Sequence, residues 1–181
     1  MEHQADNELL QLFKNGNSHY AFNLIIKKYQ QRVYTHVRRM VIDHDDASDL
    51  TQNTFIKVWH NLPKFREDSQ LFTWIYRIAT NECLSFLKNK RKRFFLPIGD
   101  VEGELSDKLA HEPSLKGDAI EMKLQKALLL LPEKQRLVFN MRYYNEMKYE
   151  DMSEVLGTSV GALKASYHHA VQKIENYLTS D

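Results

Sequence analysis

Apolar side chains recur along this chain at helical spacing. Between about Ser18 and Met40, residues Phe22, Ile25, Ile26, Tyr29, Val33 and Met40 fall on one helix face, while Lys27, Lys28, Gln31, Arg32, Arg38 and Arg39 lie mostly off it. Ahead of this stripe, Asp6 or Asn7 can cap a short helix carrying Leu9, Leu10 and Phe13, which Gly16 ends. After it, Asp43-His44-Asp45-Asp46 reads as a turn. A third helix then runs from Ala47 to about Leu62, with Leu50, Thr54, Val58 and Leu62 on one face and Pro63 closing it. A fourth runs from about Gln70 or Leu71 to Lys92. Periodicity then disappears over residues 94–118, where Pro97, Gly99, Gly103, Pro113 and Gly117 punctuate an acidic stretch. It resumes in four further helices, near 119–131, 133–144, 148–156 and 159–178. The pattern predicts an all-α fold of two small helical domains, residues 1–93 and 119–181, joined by a flexible linker.

Composition supports helices: only four prolines and six glycines occur in 181 residues. Charge adds a division of labour that the net value of +1 conceals. Residues 1–93 carry a net +5, residues 94–118 a net −4, and residues 119–181 are neutral. The single cysteine, Cys83, rules out an internal disulfide and a thiolate-built zinc site, which fits a cytoplasmic setting. The longest purely apolar run, Ala127 to Leu131, cannot span a bilayer, so membrane insertion is not expected.

Near the C-terminus, Tyr149 to Val160 reads as helix, tight turn, helix. Gly157 can take the left-handed conformation that stops the first helix, and Ser159 can cap the second. In that second helix Val160, Leu163, Tyr167, Ala170, Ile174 and Leu178 face inward. Gly161, Ala162, Lys164, Ala165, Ser166, His168 and His169 remain outward. Small residues in the first outward turn allow close approach to a major groove, and the Lys, Ser and His that follow can reach phosphates and base edges. A metal site on His168 and His169 is disfavoured, because adjacent helical positions point about 100 degrees apart. The fourth helix places Phe72, Trp74, Tyr76 and Phe86 before Lys88-Asn89-Lys90-Arg91-Lys92-Arg93. Aromatic rings beside a dense positive end suit separated DNA strands, although most of these rings are expected in the core.

Three segments, in order, resemble the bacterial RNA polymerase sigma factors, specifically the extracytoplasmic-function (ECF) group. Asp46 to Trp59 is similar to region 2.2, which docks on the clamp coiled coil of the polymerase. Phe72 to Asn81 is similar to the segment that melts and reads the minus-ten element. Leu131-Pro132-Glu133-Lys134-Gln135-Arg136 through Ile174 is similar to region 4, reader of the minus-thirty-five element. The resemblance implies a transcription initiation factor whose partners are core polymerase, through its clamp coiled coil and flap, and promoter DNA. It implies no cofactor, metal or catalytic residue, and regulation by an anti-sigma factor is usual in the family. It also implies site residues. Polymerase contact falls on Asp49, Leu50, Gln52 and Lys57. Minus-ten contact falls on Phe65, Arg66, Arg77, Asn81, Lys88, Lys90 and Arg91, with the loop Phe65 to Gln70 and Asn81 holding an extruded base. Minus-thirty-five contact falls on Ser159, Gly161, Lys164, Ser166 and His168. The chain departs from the family at Ser166 and His169, where arginine is commoner, which predicts weaker or different upstream contact.

Two other functional classes fit the residues less well. A stand-alone helix-turn-helix regulator would need only residues 119–181 and leaves the N-terminal aromatic and basic helix without a purpose. A metal-dependent hydrolase built on His44 with Asp43, Asp45 and Asp46 lacks a phosphate-cradling glycine loop, a nucleophile elbow or a His-Glu-x-x-His motif, and turn carboxylates more often cap a helix.

Overall fold

The computed structural model describes residues 5–93, 103, 107 and 119–179. The acidic segment expected to act as a linker lies, apart from Gly103 and Asp107, outside the described residues. Among the described residues there are helices and no strands, as the periodicity predicts. The N-terminal unit comprises α1 (Asp6–Lys14), α2 (Ser18–Val41), α3 (His44–Asn61) and α4 (Leu71–Arg93), with a short 3-10 turn, Leu62–Lys64, after α3. The C-terminal unit comprises α5 (Ala119–Leu129), α6 (Glu133–Phe139), a π-helical turn (Asn140–Tyr144), α7 (Tyr149–Leu156) and α8 (Val160–Thr179). No described helix is long and apolar enough to cross a membrane.

Local chemistry sets most of the boundaries. The Asp43 carboxylate accepts from the amides of Asp45 and Asp46, both at 3.0 Å, and starts α3 three residues earlier than the stripe suggests. Gly157 ends α7 at φ 62, and the Ser159 hydroxyl accepts from the Ala162 amide at 3.3 Å at the head of α8. The start of α1 differs from expectation. Ala5 is its N-cap and gives no side-chain bond, whereas Asp6 lies inside the first turn. There its carboxylate accepts from Tyr29 Oη at 2.6 and 2.8 Å and from Lys28 Nζ at 2.8 Å. A residue suited to capping is used instead to fasten α1 to α2.

The two units share apolar packing. Ile25, Tyr29, Val33, Met40, Ile75, Tyr76 and Leu87 from the first unit belong to one buried cluster with Met141, Met152, Val155 and Leu163 from the second. Polar groups also meet across this seam, where the Asn140 and Asn145 side-chain oxygens are buried without a hydrogen-bond partner among the described residues. Tyr76, fully buried, donates to the Arg32 carbonyl at 3.0 Å and accepts from Asn145 Nδ2 at 2.9 Å. Arg39 lies over the Tyr144 ring at 4.0 Å, and Arg91 pairs with Glu133 at 2.7 Å. His36, also fully buried, shares a 3.0 Å hydrogen bond with Thr80, and burial, with the nearby Arg39 charge, holds its pKa down at about 4. A second, smaller cluster of Ala127, Leu128, Leu131, Phe139, Ala170 and Ile174 closes the C-terminal unit on itself.

Candidate functional site

On the outer side of the N-terminal unit, α2 and α3 splay to leave an apolar groove of about 770 Å³. Phe22, Ile26 and Tyr34 form one wall; Gln52, Ile56 and Trp59 form the other. Ile56, nearly half exposed, stands at the rim of this groove. Of the four residues assigned to polymerase contact, Asp49 and Gln52 are exposed and Gln52 lines the groove. Leu50 requires correction: it is 6% exposed and belongs to the core, so its role is to seat α3 beneath Asp49 and Gln52. Lys57 is exposed but lies on the flank facing α4, where it pairs with Glu82. Ile56, Trp59 and Tyr34 were missed. The clue in the sequence was surplus: α2 and α3 carry more apolar positions than one buried face can absorb.

At the opposite edge of α3 the chain passes through Leu62–Lys64 into the loop 65–70 and then α4. Phe65 is half-buried, its ring 4.8 Å from that of Trp74. Arg66 and Asn81 are exposed. Arg77 is half-buried, with its Nε enclosed and lacking a hydrogen-bond partner among the described residues. Along the basic end of α4, Lys88 points to solvent, Lys90 lies 3.9 Å from Asp46, and Arg91 is held by Glu133. Tyr76 is buried and Phe72 half-buried, with ring centroids 4.3 Å apart, and Arg32 lies over the Phe72 ring at 4.2 Å. Of the four rings of α4 expected mostly in the core, Tyr76 is buried, while Phe72, Trp74 and Phe86 are half-buried against it.

In α8 the outward face is presented almost as the spacing predicts. Gly161, Ala162, Lys164, Ala165, His168 and His169 are exposed, while Leu163, Ala170 and Ile174 are buried. A Cβ added at Gly161 would meet nothing within 4 Å. Lys164 Nζ sits 5.7 Å above the Tyr149 ring of α7, which directs the ammonium along the helix-turn-helix surface. Ser166 is half-buried, and the Ser159 hydroxyl is occupied in capping. Thus the C-terminal surface brings together Gly161, Lys164 and His168, with Ser166 at its margin.

The family model for sigma-70 region 2 matches residues 25–93, and that for sigma-70 region 4 matches residues 121–174. The chain belongs to the sigma-70 family. It is 30% identical to the RNA polymerase sigma-H factor of Pseudomonas aeruginosa, over 97% of this chain and 94% of that one. It is 28% identical to the ECF RNA polymerase sigma-E factor of Escherichia coli K12, over 97% of this chain and 95% of that one. Among solved structures, the sigma factor RpoE of Bartonella quintana, in complex with the anti-sigma factor NepR, superposes with a TM-score of 0.68 at 25% identity, covering 88% of this chain and 98% of that one. CnrH, in complex with the cytosolic domain of CnrY, has the same fold, with a TM-score of 0.73 at 23% identity over 98% of this sigma factor and 99% of its own length. The ECF group is therefore the place of this sigma factor within the family.

Proposed function

We propose that this ECF sigma factor divides promoter recognition between its two units, with residues 1–93 binding core RNA polymerase and opening the minus-ten element, and residues 119–181 reading the minus-thirty-five element. The observation that carries this reading is the presence, in one chain and in order, of a groove-bearing helix pair, a loop and helix with exposed Arg66, Asn81 and Lys88, and a helix-turn-helix with a small, open first turn. Asp49, Gln52 and the groove residues beside them meet the polymerase clamp. Phe65, Arg66, Arg77 and Asn81 serve an extruded non-template base, and Lys88, Lys90 and Arg91 hold phosphates. Strand separation is driven by binding, since unstacking a base costs a few kcal/mol that stacking and pocket contacts offset. The factor works in the cytoplasm, supplies no catalysis of its own, and its acidic segment 94–118 occupies a basic channel of the polymerase. An anti-sigma factor is the expected regulator, as the RpoE and CnrH complexes illustrate for those proteins.

Run-off transcription with core polymerase and a pool of genomic promoter fragments tests this. Discrete transcripts that require both proteins are expected. Absence of transcripts together with absence of binding to core polymerase would move the assignment to an autonomous helix-turn-helix regulator.

A further inference from the structure

The helix α1 lies ahead of the segment matched by the region 2 model, which begins at residue 25, and nothing so far gives it a task. It is anchored on two sides. Leu9 and Leu10 are buried, and Asp6 is held by Tyr29 and Lys28. Its final residue, Lys14, forms an ion pair with Glu67 of the loop 65–70. Glu67 has φ 60, a left-handed conformation unfavourable for a non-glycine residue, which turns the loop back on itself. Between α1 and this loop lies a cavity of about 290 Å³, walled by Leu10, Phe13 and Lys14 on one side and by Leu62, Pro63, Phe65 and Glu67 on the other.

The loop is thus pinned twice. Phe65 is fixed through its ring on Trp74, and Glu67 is fixed through its carboxylate on Lys14; Arg66, between them, is exposed. Two anchors flanking one outward arginine give that side chain a defined origin, whereas a six-residue loop with a single anchor would sample many. We infer that Lys14 is a positioning residue for promoter reading: through Glu67 it sets the shape of the loop that receives the extruded minus-ten base, and so sharpens discrimination among bases without touching DNA itself. This inference rests on the proposed role of loop 65–70.

The test uses holoenzyme reconstituted from the full chain and core polymerase, transcribing a promoter it initiates from, in versions carrying each of the four bases at each minus-ten position. The readout is the ratio of transcript from the preferred base to that from the next best, at the most sensitive position. Lys14 and Glu67 side chains are 61% and 42% exposed, so their replacement leaves the core intact. An exposed pair biases a loop modestly, and Lys14→Met or Lys14→Glu is expected to lower the ratio about 2- to 5-fold. Lys14→Arg should keep it, and the exchange Lys14→Glu with Glu67→Lys should recover most of it. A ratio unchanged in both Lys14→Met and Lys14→Glu, or an equal loss at all four bases, overturns the inference. Phe65→Ala and Asn81→Ala separate the two levels. If they alter the ratio while the Lys14 variants do not, only the positioning role falls. If none of the four alters it, the loop is not the base-receiving element.

Discussion

Helices α4 and α8 each carry groups assigned to DNA, yet they are built into the molecule in opposite ways. α4 runs through the centre: Leu71, Ile75, Tyr76, Ala79, Cys83 and Leu87 are all buried, and two of its basic residues, Lys90 and Arg91, face Asp46 and Glu133. α8 lies at the margin: it commits Leu163, Ala170 and Ile174 to packing and leaves Gly161, Lys164 and His168 in solvent. The surface proposed for strand opening thus doubles as framework and has basic groups already engaged within the protein, whereas the surface proposed for duplex reading stands mostly in solvent.

The contrast can be broken most forcefully in the core. Tyr76→Ala should destabilise the protein by about 3–5 kcal/mol, because it leaves a cavity and strands the Arg32 carbonyl and the Asn145 amide; Leu163→Ala should cost less, about 2–4 kcal/mol. Denaturant unfolding of both variants decides the order, and the reverse order would mean that α8, not α4, is the structural axis. Acid should act in the same place. His36 is neutral in the fold with a pKa near 4 against an ordinary value of 6.5. The unfolded state therefore binds more protons between these values, so His36 contributes stability above about pH 6.5 that is lost as pH falls toward 4, on the order of 3 kcal/mol in all. Melting temperature should fall as pH is lowered through this window, and the fall should flatten in His36→Gln.

Smaller effects separate the two reading surfaces. Asn81→Ala should reduce open-complex formation about tenfold, measured by permanganate reactivity of the melted strand, with little change in melting temperature. Lys164→Ala should reduce transcription about 5-fold from promoters that depend on the upstream element and leave the others unchanged. Glu133→Gln should have the least effect, raising the affinity of the isolated chain for single-stranded DNA about 2-fold by releasing Arg91, as expected for a partly exposed ion pair. If Glu133→Gln changed nothing while Arg91→Ala weakened binding, partner exchange at the end of α4 would be excluded.

How much of this was legible in the sequence follows from which forces are local. Gly157 and Ser159 announce their turn and cap within a few residues, so the helix-turn-helix could be read directly, whereas the cap at Asp43 sat inside a run of acidic residues that read as a turn, and α3 was expected to begin only at Ala47. The π-helical turn Asn140–Tyr144 could not. Its wider bond, from the Asn145 amide to the Asn140 carbonyl at 3.2 Å, has no residue preference to betray it, and a simple helix was expected through 144. Leu50 shows a related limit, since family likeness points to a stretch of helix while burial decides residue by residue which side chains of that stretch can be touched. The pairing of Lys14 with Glu67, separated by 53 positions, leaves no trace in periodicity or charge balance.

The open space at Gly161 bears on how such proteins diversify. A side chain introduced there displaces nothing, and in the first turn of a helix a glycine is easily replaced by residues of higher helix propensity. Gly161, second in the helix proposed to read the upstream element, can therefore be exchanged by single mutations without a toll on folding. New promoter preferences are within reach of drift alone, and a library at position 161 would be the economical way to retarget this factor to a different set of genes.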